Sequence, residues 1–155
     1  MKRGSIGEVE TVTSGAADRQ AIGRLTVRTS GAGFTEVTAA VAAWVAGSAI
    51  RDGLLTAFCR HTSASLTIQE NADPDVRTDL MTALDRLAPR NAPYVHATEG
   101  PDDMPAHIRT MLTHTSVAIP VIGGRLALGT WQGLYLVEHR DRPHSRKIVL
   151  HLAGK

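Results

Sequence analysis

Apolar residues recur along this chain at two different spacings, and the pattern changes near residue 116. Before that point, three stretches have the three-to-four-residue period of helices: Phe34 to Val45, Val76 to Leu87 and Ala106 to Thr113. After it, apolar residues alternate or run together in short segments bounded by glycine or charged residues, which is typical of strands. Helices interleaved with early strands and followed by antiparallel strands predict an α+β fold with a mostly antiparallel β core and two or three helices.

The predicted strands are short and mostly end at turn residues. They comprise residues 22–27, 54–60, 66–70, 117–122, 125–128, 130–139 and 147–152. Gly123-Gly124 predicts a two-residue hairpin turn. Asp73-Pro74 predicts a helix start, since aspartate caps a first turn and proline fits its first position. A chain of 155 residues is expected to form one domain, residues 1–155, in which residues 1–19 are partly flexible.

Composition and charge disfavour several classes of partner. Lysines and arginines are scattered and the net charge is only +2, so we expect no nucleic-acid partner. No apolar run approaches the ~20 residues of a membrane span, and no apolar segment follows Lys2 and Arg3, so we expect neither membrane binding nor a signal peptide. The single cysteine, Cys59, excludes an intramolecular disulfide and fits a cytoplasmic protein. Cys59 and His61 would share one face of a strand, yet a buried cysteine is the better interpretation than a nucleophile.

Histidines in polar segments form the main candidate site. His61, His96 and His107 each lie beside turn residues. Imidazole is the commonest metal ligand, and catalytic zinc commonly has three protein ligands and one open position. We therefore predict that these three histidines bind a divalent metal ion, zinc or magnesium, and act in catalysis with Glu99 and Asp103. Their spacings match no compact zinc-finger pattern, so ordinary structural histidines remain the alternative.

The neighbouring side chains leave several roles open. Glu99 and Asp103 could bind the metal, orient an imidazole or act as a general base. Asp103 could instead cap a helix that begins near Pro105. His114, seven residues after His107, would share its helix face, either as a fourth ligand or as a solvated side chain.

The blocks that carry these residues closely resemble the YjbQ-like family over roughly residues 20–154. They are His61-Thr62-Ser63-Ala64-Ser65, Glu70-Asn71-Ala72-Asp73-Pro74, Tyr94-x-His96-x-x-Glu99-Gly100, Ala106-His107-Ile108 and Leu128-Gly129-Thr130-Trp131-Gln132. Members of the family are often named secondary thiamine-phosphate synthase. The turn Pro101-Asp102-Asp103-Met104-Pro105 is longer than in many relatives. Many relatives also have a late Asp-Gly-Pro-Arg-x-Arg motif, which residues 141–146 replace here. Only Arg146 matches an arginine of that motif, and the resemblance implies that it binds an anion.

The resemblance implies a sandwich-like β core carrying helices, assembled as a homotrimer. It also implies formation of thiamine phosphate from hydroxymethylpyrimidine diphosphate and thiazole phosphate, an activity regarded as secondary. Residues of the shared blocks are then expected to bind the phosphorylated substrate: Thr62, Asn71, Trp131, Gln132 and Arg146.

Three hypotheses follow from the residues and the resemblance together. The first is an enzyme that acts on a phosphorylated small molecule at the histidine site. The second is a metal-dependent hydrolase that uses the same residues and a metal-bound water. The third is a trimer that binds a metal or ligand without catalysis, because the sequence spacing fixes no general base.

Overall fold

Antiparallel strands build most of the structure, a computed structural model that describes residues 8–155. Its three helices are α1 (Thr38–Gly47), α2 (Pro74–Leu87) and α3 (Asp103–Leu112). Its eight strands are β1 (Arg19–Thr29), β2 (Gly33–Glu36), β3 (Gly53–Cys59), β4 (Ala64–Glu70), β5 (Ser116–Ile122), β6 (Arg125–Leu126), β7 (Gln132–Glu138) and β8 (His144–Gly154). They form a five-stranded sheet, β1-β8-β3-β5-β6, and a three-stranded sheet, β2-β7-β4. The predicted α+β class is confirmed.

Strand β8 organises the five-stranded sheet because it pairs with β1 along its whole length and with β3 on its other side. Its residues alternate strictly: Ile148, Leu150 and Leu152 are buried in the core. Lys147 points to the opposite, exposed face. Each buried leucine or isoleucine contributes roughly 1.5–3 kcal/mol relative to an exposed one. The alternation therefore fixes the register, since a one-residue slip would expose this whole set.

Strand β7 has a different pattern, a continuous buried run from Gly133 to Glu138. It lies between β2 and β4 in the three-stranded sheet, and Leu134 and Leu136 are fully buried. A strand with both faces covered needs no alternation. The same burial extends to Glu138 and to His139 directly after the strand, which places charged and polar groups inside the protein next to the candidate site.

The segment from Phe34 departs from its prediction. The sequence predicts a helix from Phe34, whereas residues 33–36 form strand β2 and the helix begins only at Thr38. Phe34 pairs with Val137 of β7, and its ring meets Tyr135 edge-on with 5.9 Å between ring centroids. The helical prediction was wrong here because the three-to-four-residue spacing of Phe34 and Val37 continues into α1, so periodicity alone does not separate a short strand from the helix that follows it.

The starts of α2 and α3 decide where acidic side chains lie. Asp73 caps α2 as predicted, since its carboxylate accepts a hydrogen bond from the Asp75 N–H at 2.9 Å. Helix α3 begins at Asp103, three residues earlier than predicted, and Pro105 occupies its first turn, where the missing N–H costs no helical hydrogen bond. Asp103 therefore lies inside the helix instead of capping it. It stands one turn before His107, so the two side chains share a face.

The remaining predicted features lie at turns and at the N-terminus. Gly123 and Gly124 have positive φ angles of 59° and 77° and join β5 to β6, which confirms the hairpin turn. Residues 8–18 form no helix or strand, and β1 begins at Arg19. Residues 1–7 of the segment predicted to be flexible lie outside the described residues. No helix among the described residues is long and apolar enough to cross a membrane.

Candidate functional site

The turn between β3 and β4 positions the candidate site through its backbone. The Thr62 carbonyl accepts hydrogen bonds from His107 Nδ1 at 3.0 Å and from Thr110 Oγ1 at 3.1 Å. Both donors lie on α3, so the turn anchors this helix beside the sheet. The predicted residue Thr62 thus contributes its carbonyl group, and it fixes which nitrogen of His107 carries a proton, because a carbonyl oxygen only accepts.

Two of the three predicted histidines meet at one carboxylate. His96 Nε2 lies 2.7 Å and His107 Nε2 lies 3.3 Å from Oδ2 of Asp103. The side chain of Asp103 is 3% exposed, whereas those of His96 and His107 are 43% and 34% exposed. One ligand atom of each residue lies within 4.8 Å of the other two, a grouping that could hold a metal ion. The carboxylate is therefore buried behind two imidazoles that solvent can reach.

Arg140, which follows strand β7 by two residues, holds that carboxylate from behind. Its guanidinium donates to Asp103 Oδ1, to Asp102 Oδ2 at 3.0 Å and to the Glu99 carbonyl at 2.8 Å. Burial alone would raise the pKa of Asp102, but hydrogen bonds from the Asp141 N–H and from Arg140 outweigh it and hold this pKa below its usual value. Because Arg140 binds Oδ1 of Asp103, the other carboxylate oxygen, Oδ2, faces the two histidines.

The loop that carries His96 is tied down at three points. Arg90 near its start forms an ion pair with Asp141, which lies on the turn between β7 and β8. The Tyr94 hydroxyl donates to the Pro89 carbonyl at 2.8 Å, and Arg140 holds the loop's far end at Glu99. A loop with these tethers can place His96 precisely although its residues have no helical or strand structure.

His61 lies elsewhere. Its Nε2 accepts a hydrogen bond from the backbone N–H of Lys147 at 2.7 Å, and it is not part of the group formed by His96, Asp103 and His107. Burial, followed by the nearby charge of Arg146, lowers the pKa of His61, so this ring is neutral near pH 7. The structure thus brings His96 and His107 together with Asp103, and it does not bring His61 to them.

Arg146, predicted to bind substrate phosphate, is buried in an ion pair. Its guanidinium donates to both oxygens of Glu138 and, at 3.1 Å, to Ser63 Oγ. The side chains of Arg146 and Glu138 are 6% and 0% exposed, and Thr29 Oγ1 adds a hydrogen bond to Glu138 at 2.8 Å. Breaking such a pair from one side is costly because the other charge stays buried. The structure assigns Arg146 to this pair.

A cavity of about 550 Å³ opens beside the cluster. Its walls include Glu99, Asp102, Arg140, Arg142 and His144. Arg142 is exposed, and within residues 8–155 its side chain has no carboxylate partner. Arg140 and Glu138 were not among the predicted site residues. The signal for Arg140 was its place in a run of basic residues, 140–147, after a strongly apolar strand, a run that could bind phosphate or form a solvated turn.

The predicted residues Asn71, Trp131 and Gln132 lie at the other end of the three-stranded sheet. Gln132 pairs with Glu70 at that end, whereas Glu138 pairs with Ala64 near the cluster. Six residues of strand separate the ends, which is about 20 Å. Trp131 is 64% exposed and its carbonyl accepts from the Asn71 N–H at 3.1 Å. One chain therefore does not bring these residues to the histidines.

Cys59 and His114 do not join the site either. Cys59 is 1% exposed, and burial raises the pKa of its thiol. Its Sγ donates to the Ala64 carbonyl at 3.4 Å, as expected for a buried residue and not for a nucleophile. The expectation that His114 shares a helix face with His107 was wrong, because α3 ends at Leu112 and His114 pairs through its backbone with Leu66.

Comparison with known proteins identifies the family. Residues 23–155 match the family described as "UPF0047 protein YjbQ-like". The chain belongs to this YjbQ-like family. The UPF0047 protein sll1880 of Synechocystis is 50% identical to it over 145 residues, which cover 93% of this chain and 99% of that protein. UPF0047 protein YugU of Bacillus subtilis is 35% identical over 119 residues, covering 77% of this chain and 88% of that protein.

Two solved structures share the fold of this chain. The conserved hypothetical protein TT1486 of Thermus thermophilus superposes with a TM-score of 0.74 at 39% identity, covering 83% of this chain and 98% of that one. The hypothetical protein APE1520 of Aeropyrum pernix superposes with a TM-score of 0.80 at 32% identity, covering 87% and 99%. None of these names states a reaction.

Proposed function

We propose that this protein is an enzyme that binds a divalent cation through His96, Asp103 and His107 and acts on a phosphorylated small molecule. The observation that carries the proposal is the orientation of His107. Its Nδ1 donates to the Thr62 carbonyl, so Nε2 of the neutral ring presents a lone pair toward Asp103 Oδ2 at 3.3 Å. Two acceptors that face each other require a positive group between them, either a proton on His107 or a metal cation.

The donor set suits a metal cation of the zinc type. Two histidine nitrogens and one carboxylate oxygen, with an open position toward solvent, match the ligand sets of catalytic zinc sites. Bonds of about 2.0–2.1 Å in a tetrahedral site put neighbouring ligand atoms about 3.3 Å apart, as found for His107 and Asp103. His96 lies 2.7 Å from Asp103, so it would move back by roughly half an ångström.

The groups behind the ligands support the same conclusion. Metal-binding imidazoles usually donate their other N–H to a carbonyl or carboxylate, and ligating carboxylates are themselves hydrogen-bonded. The Thr62 carbonyl does this for His107, and Arg140 does it for Asp103. Asp103, predicted as an orienting group or a ligand, takes the ligand role in this proposal. His61, predicted as the third ligand, is left to orient the β3–β4 turn through Lys147.

The neighbouring cavity supplies room for an anionic substrate. Arg142, His144 and Glu99 are among the residues that line it. We propose that Arg142 neutralises substrate phosphate, because Arg146 is occupied by Glu138. A divalent cation would add positive charge for a phosphate or a leaving diphosphate. Thiamine-phosphate synthase activity, in which a pyrimidine carbon–oxygen bond to diphosphate breaks and a bond to the thiazole nitrogen forms, is the reaction that the family resemblance suggests.

A homotrimer is part of the proposal. Trp131, Gln132 and Asn71 are expected to bind substrate, yet they lie about 20 Å from the histidines within one chain. A neighbouring subunit would supply one of the two groups. The edge strands β1, β2, β4 and β6 also present backbone groups that association could pair.

Metal analysis tests the first part of the proposal. We expect one zinc or other divalent ion per chain in the wild type, and a loss of affinity of at least tenfold in His96→Ala, Asp103→Asn and His107→Ala, since each removes a ligand atom. His151→Ala, which changes a partly buried histidine outside the cluster, is the matched control. Full occupancy in all three ligand variants, or no binding by the wild type at any metal concentration, would refute the site.

Product analysis tests the second part. The protein is incubated with hydroxymethylpyrimidine diphosphate and thiazole phosphate, together and separately. A coupled product supports a transferase. Release of phosphate or diphosphate from one substrate alone supports the alternative of a metal-dependent hydrolase with the same residues. Tight metal binding without turnover of either substrate supports a non-catalytic binding protein and contradicts the proposed enzyme.

A further inference from the structure

His144 is the first residue of β8 and lines the cavity beside the cluster, but the proposed cation site does not use it. Its side chain is 35% exposed. It pairs with Thr29 of β1, and its backbone N–H donates to Thr29 Oγ1 at 3.1 Å. The ring is therefore carried by a strand pair and not by a loose turn, which fixes its place in the cavity wall.

A backbone carbonyl decides which nitrogen of His144 is available for chemistry. Its Nδ1 lies 2.7 Å from the carbonyl oxygen of Arg142. A carbonyl oxygen only accepts, so Nδ1 carries a proton and Nε2 carries the lone pair of the neutral ring. Within residues 8–155, Nε2 has no hydrogen-bond partner and is not among the polar atoms closed off from solvent. The ring can therefore gain and lose a proton at Nε2 while it keeps its bond to the carbonyl.

A buried carboxylate lies behind the ring. Glu138 Oε2 is 3.8 Å from Nδ1 of His144, and the glutamate side chain is 0% exposed. This distance is too long for a hydrogen bond, but a carboxylate so close offsets the positive charge that an imidazole acquires with a second proton. Arg146, which binds the same carboxylate, and Arg142 in the turn act in the opposite sense.

The other groups of the cavity wall that could exchange a proton are less suited to do so. Asp102 and Asp141 are both held by arginines. Glu99 is exposed, and it lies in a loop without helical or strand structure. His144 alone among the residues that line this cavity combines a free proton-exchanging atom with a fixed ring.

We propose that His144 is the general acid of the enzyme and delivers a proton from Nε2 to the departing phosphate or diphosphate oxygen. In the suggested transferase reaction, the thiazole nitrogen forms its bond to the pyrimidine-bearing carbon while the carbon–oxygen bond to diphosphate breaks. The electron pair of that bond stays on the diphosphate oxygen, which takes the proton. The ring then regains a proton at Nε2 from solvent. This inference rests on the proposed function, which supplies the leaving group.

His144 and Arg142 would have different tasks at the same substrate. Arginine keeps its proton and can only neutralise or bind phosphate oxygens, whereas histidine is the side chain most often used for proton transfer. Arg140 connects the cavity with the cation site, because it lines the cavity and its guanidinium donates to Asp103. Substrate in this cavity would thus lie next to the groups that hold the cation.

The test uses variants that separate proton transfer from structural support. His144→Asn places an amide N–H near Nδ1 and can keep the hydrogen bond to the Arg142 carbonyl, but it has no group in the place of Nε2. His144→Gln keeps a polar group near Nε2 that cannot exchange a proton. Glu99→Gln examines the rival carboxylate, and His151→Gln, at a partly buried position outside the cavity, is the control.

Two measurements are made on these proteins. Release of diphosphate from hydroxymethylpyrimidine diphosphate, with and without thiazole phosphate, gives kcat and KM in the presence of zinc. Nitrogen-15 NMR of the histidine rings in the metal-free wild type gives the tautomer of His144, and a titration with inorganic diphosphate shows whether an anion reaches this ring.

We expect an Nδ1–H ring whose Nε2 signal shifts when diphosphate is added. We expect kcat to fall by about 10²–10⁴-fold in both His144→Asn and His144→Gln, as is typical for loss of a general acid. KM should change little, because Arg142 remains to bind the anion. His151→Gln should behave as the wild type does.

Several results would overturn the inference. Wild-type kcat in His144→Asn would show that the ring only supports the Arg142 carbonyl. A large loss in Glu99→Gln with His144→Asn still active would assign the proton transfer to Glu99. An Nε2–H tautomer, or no response of the ring to diphosphate, would contradict the geometry. A wild type without turnover would refute the proposed function and this role together, whereas an active His144→Asn variant would refute this role alone.

Discussion

Acidification should destabilise the metal-free protein through His139. Burial, followed by the charge of Arg109, lowers the pKa of this ring to about 4 in the folded protein. An unfolded histidine has a pKa of about 6.5, so the folded form binds this proton more weakly than the unfolded form. A difference of about 2.5 pKa units corresponds to roughly 3.4 kcal/mol at 1.36 kcal/mol per unit. The stability is full above pH ~6.5 and is lost as the pH falls toward ~4.

Subtraction of a matched variant isolates this contribution. Urea unfolding is followed by circular dichroism at intervals from pH 7.5 to pH 4, with a chelator present, for the wild type and for His139→Gln. Glutamine does not titrate, so the wild type should lose about 3 kcal/mol more than the variant by pH 4. Burial also lowers the pKa of His61, but this residue is present in both proteins, so its contribution cancels in the difference. Parallel losses of unfolding free energy in the two proteins would refute the assignment of a buried neutral His139.

The buried carboxylates act in a different pH range. Burial would raise the pKa of Glu138, but the Arg146 hydrogen bond and other donors outweigh it and lower this pKa. The stability from a lowered carboxyl pKa is present above the unfolded value, ~4.3 for glutamate, and is lost only as the pH falls through the lower folded value. Acid unfolding should therefore show two phases, in which the histidine contribution is lost first and the carboxylate contribution is lost at lower pH.

Four further outcomes are expected. Substrate should quench tryptophan fluorescence through the exposed Trp131, and a quench that persists in Trp131→Phe would contradict its role. Arg140→Gln should weaken zinc binding by about 10–100-fold without unfolding the protein, as measured by competition with a chelator. Leu136→Ala, at a fully buried position, should cost about 2–5 kcal/mol in urea unfolding, and a cost under ~1 kcal/mol would contradict the packing. Light scattering should give the mass of a trimer. Mixing inactive His96→Ala subunits with inactive Trp131→Ala subunits should restore part of the activity if one site spans two chains. A monomer with full activity would exclude both the trimer and the shared site.

Local chemistry allowed much of the fold to be predicted. The Asp73 cap and the Gly123-Gly124 hairpin depend on neighbouring residues alone, so their prediction needed no tertiary information. The strand at Phe34 did need it, because pairing with β7 overrides a spacing that favours a helix. The start of α3 at Asp103 was not predicted because the two prolines and two aspartates of residues 101–105 are typical of a loop. Proline is nevertheless tolerated in the first turn of a helix.

The sequence allowed the types of residue in the candidate site to be predicted, but not which of these residues contact one another. His96 and His107 stood out because both lie near acidic turns, and Asp103 was named among their possible partners. His61 looked equivalent in sequence, yet the register of β3 against β8 places its ring on the Lys147 backbone. The partners of Arg140 and Glu138 could not be predicted, since these contacts span 37 and 8 positions of the chain and only the folded strands create them.

The separation along β7 limits how one chain can use all of its predicted site residues. The strand places Gln132 at one end and Glu138 at the other, about 20 Å apart. Arg140 and Glu99 line a cavity of about 550 Å³ at the Glu138 end, and Trp131 is not among its lining residues, so a small phosphorylated ligand bound there does not reach Trp131 of the same chain. If the tryptophan and the histidines serve one substrate, the tryptophan must come from another subunit. Restoration of activity by mixed subunits would therefore support the shared site and the trimer together, whereas a quench of Trp131 fluorescence that survives loss of the cation ligands would assign the tryptophan to a separate binding surface.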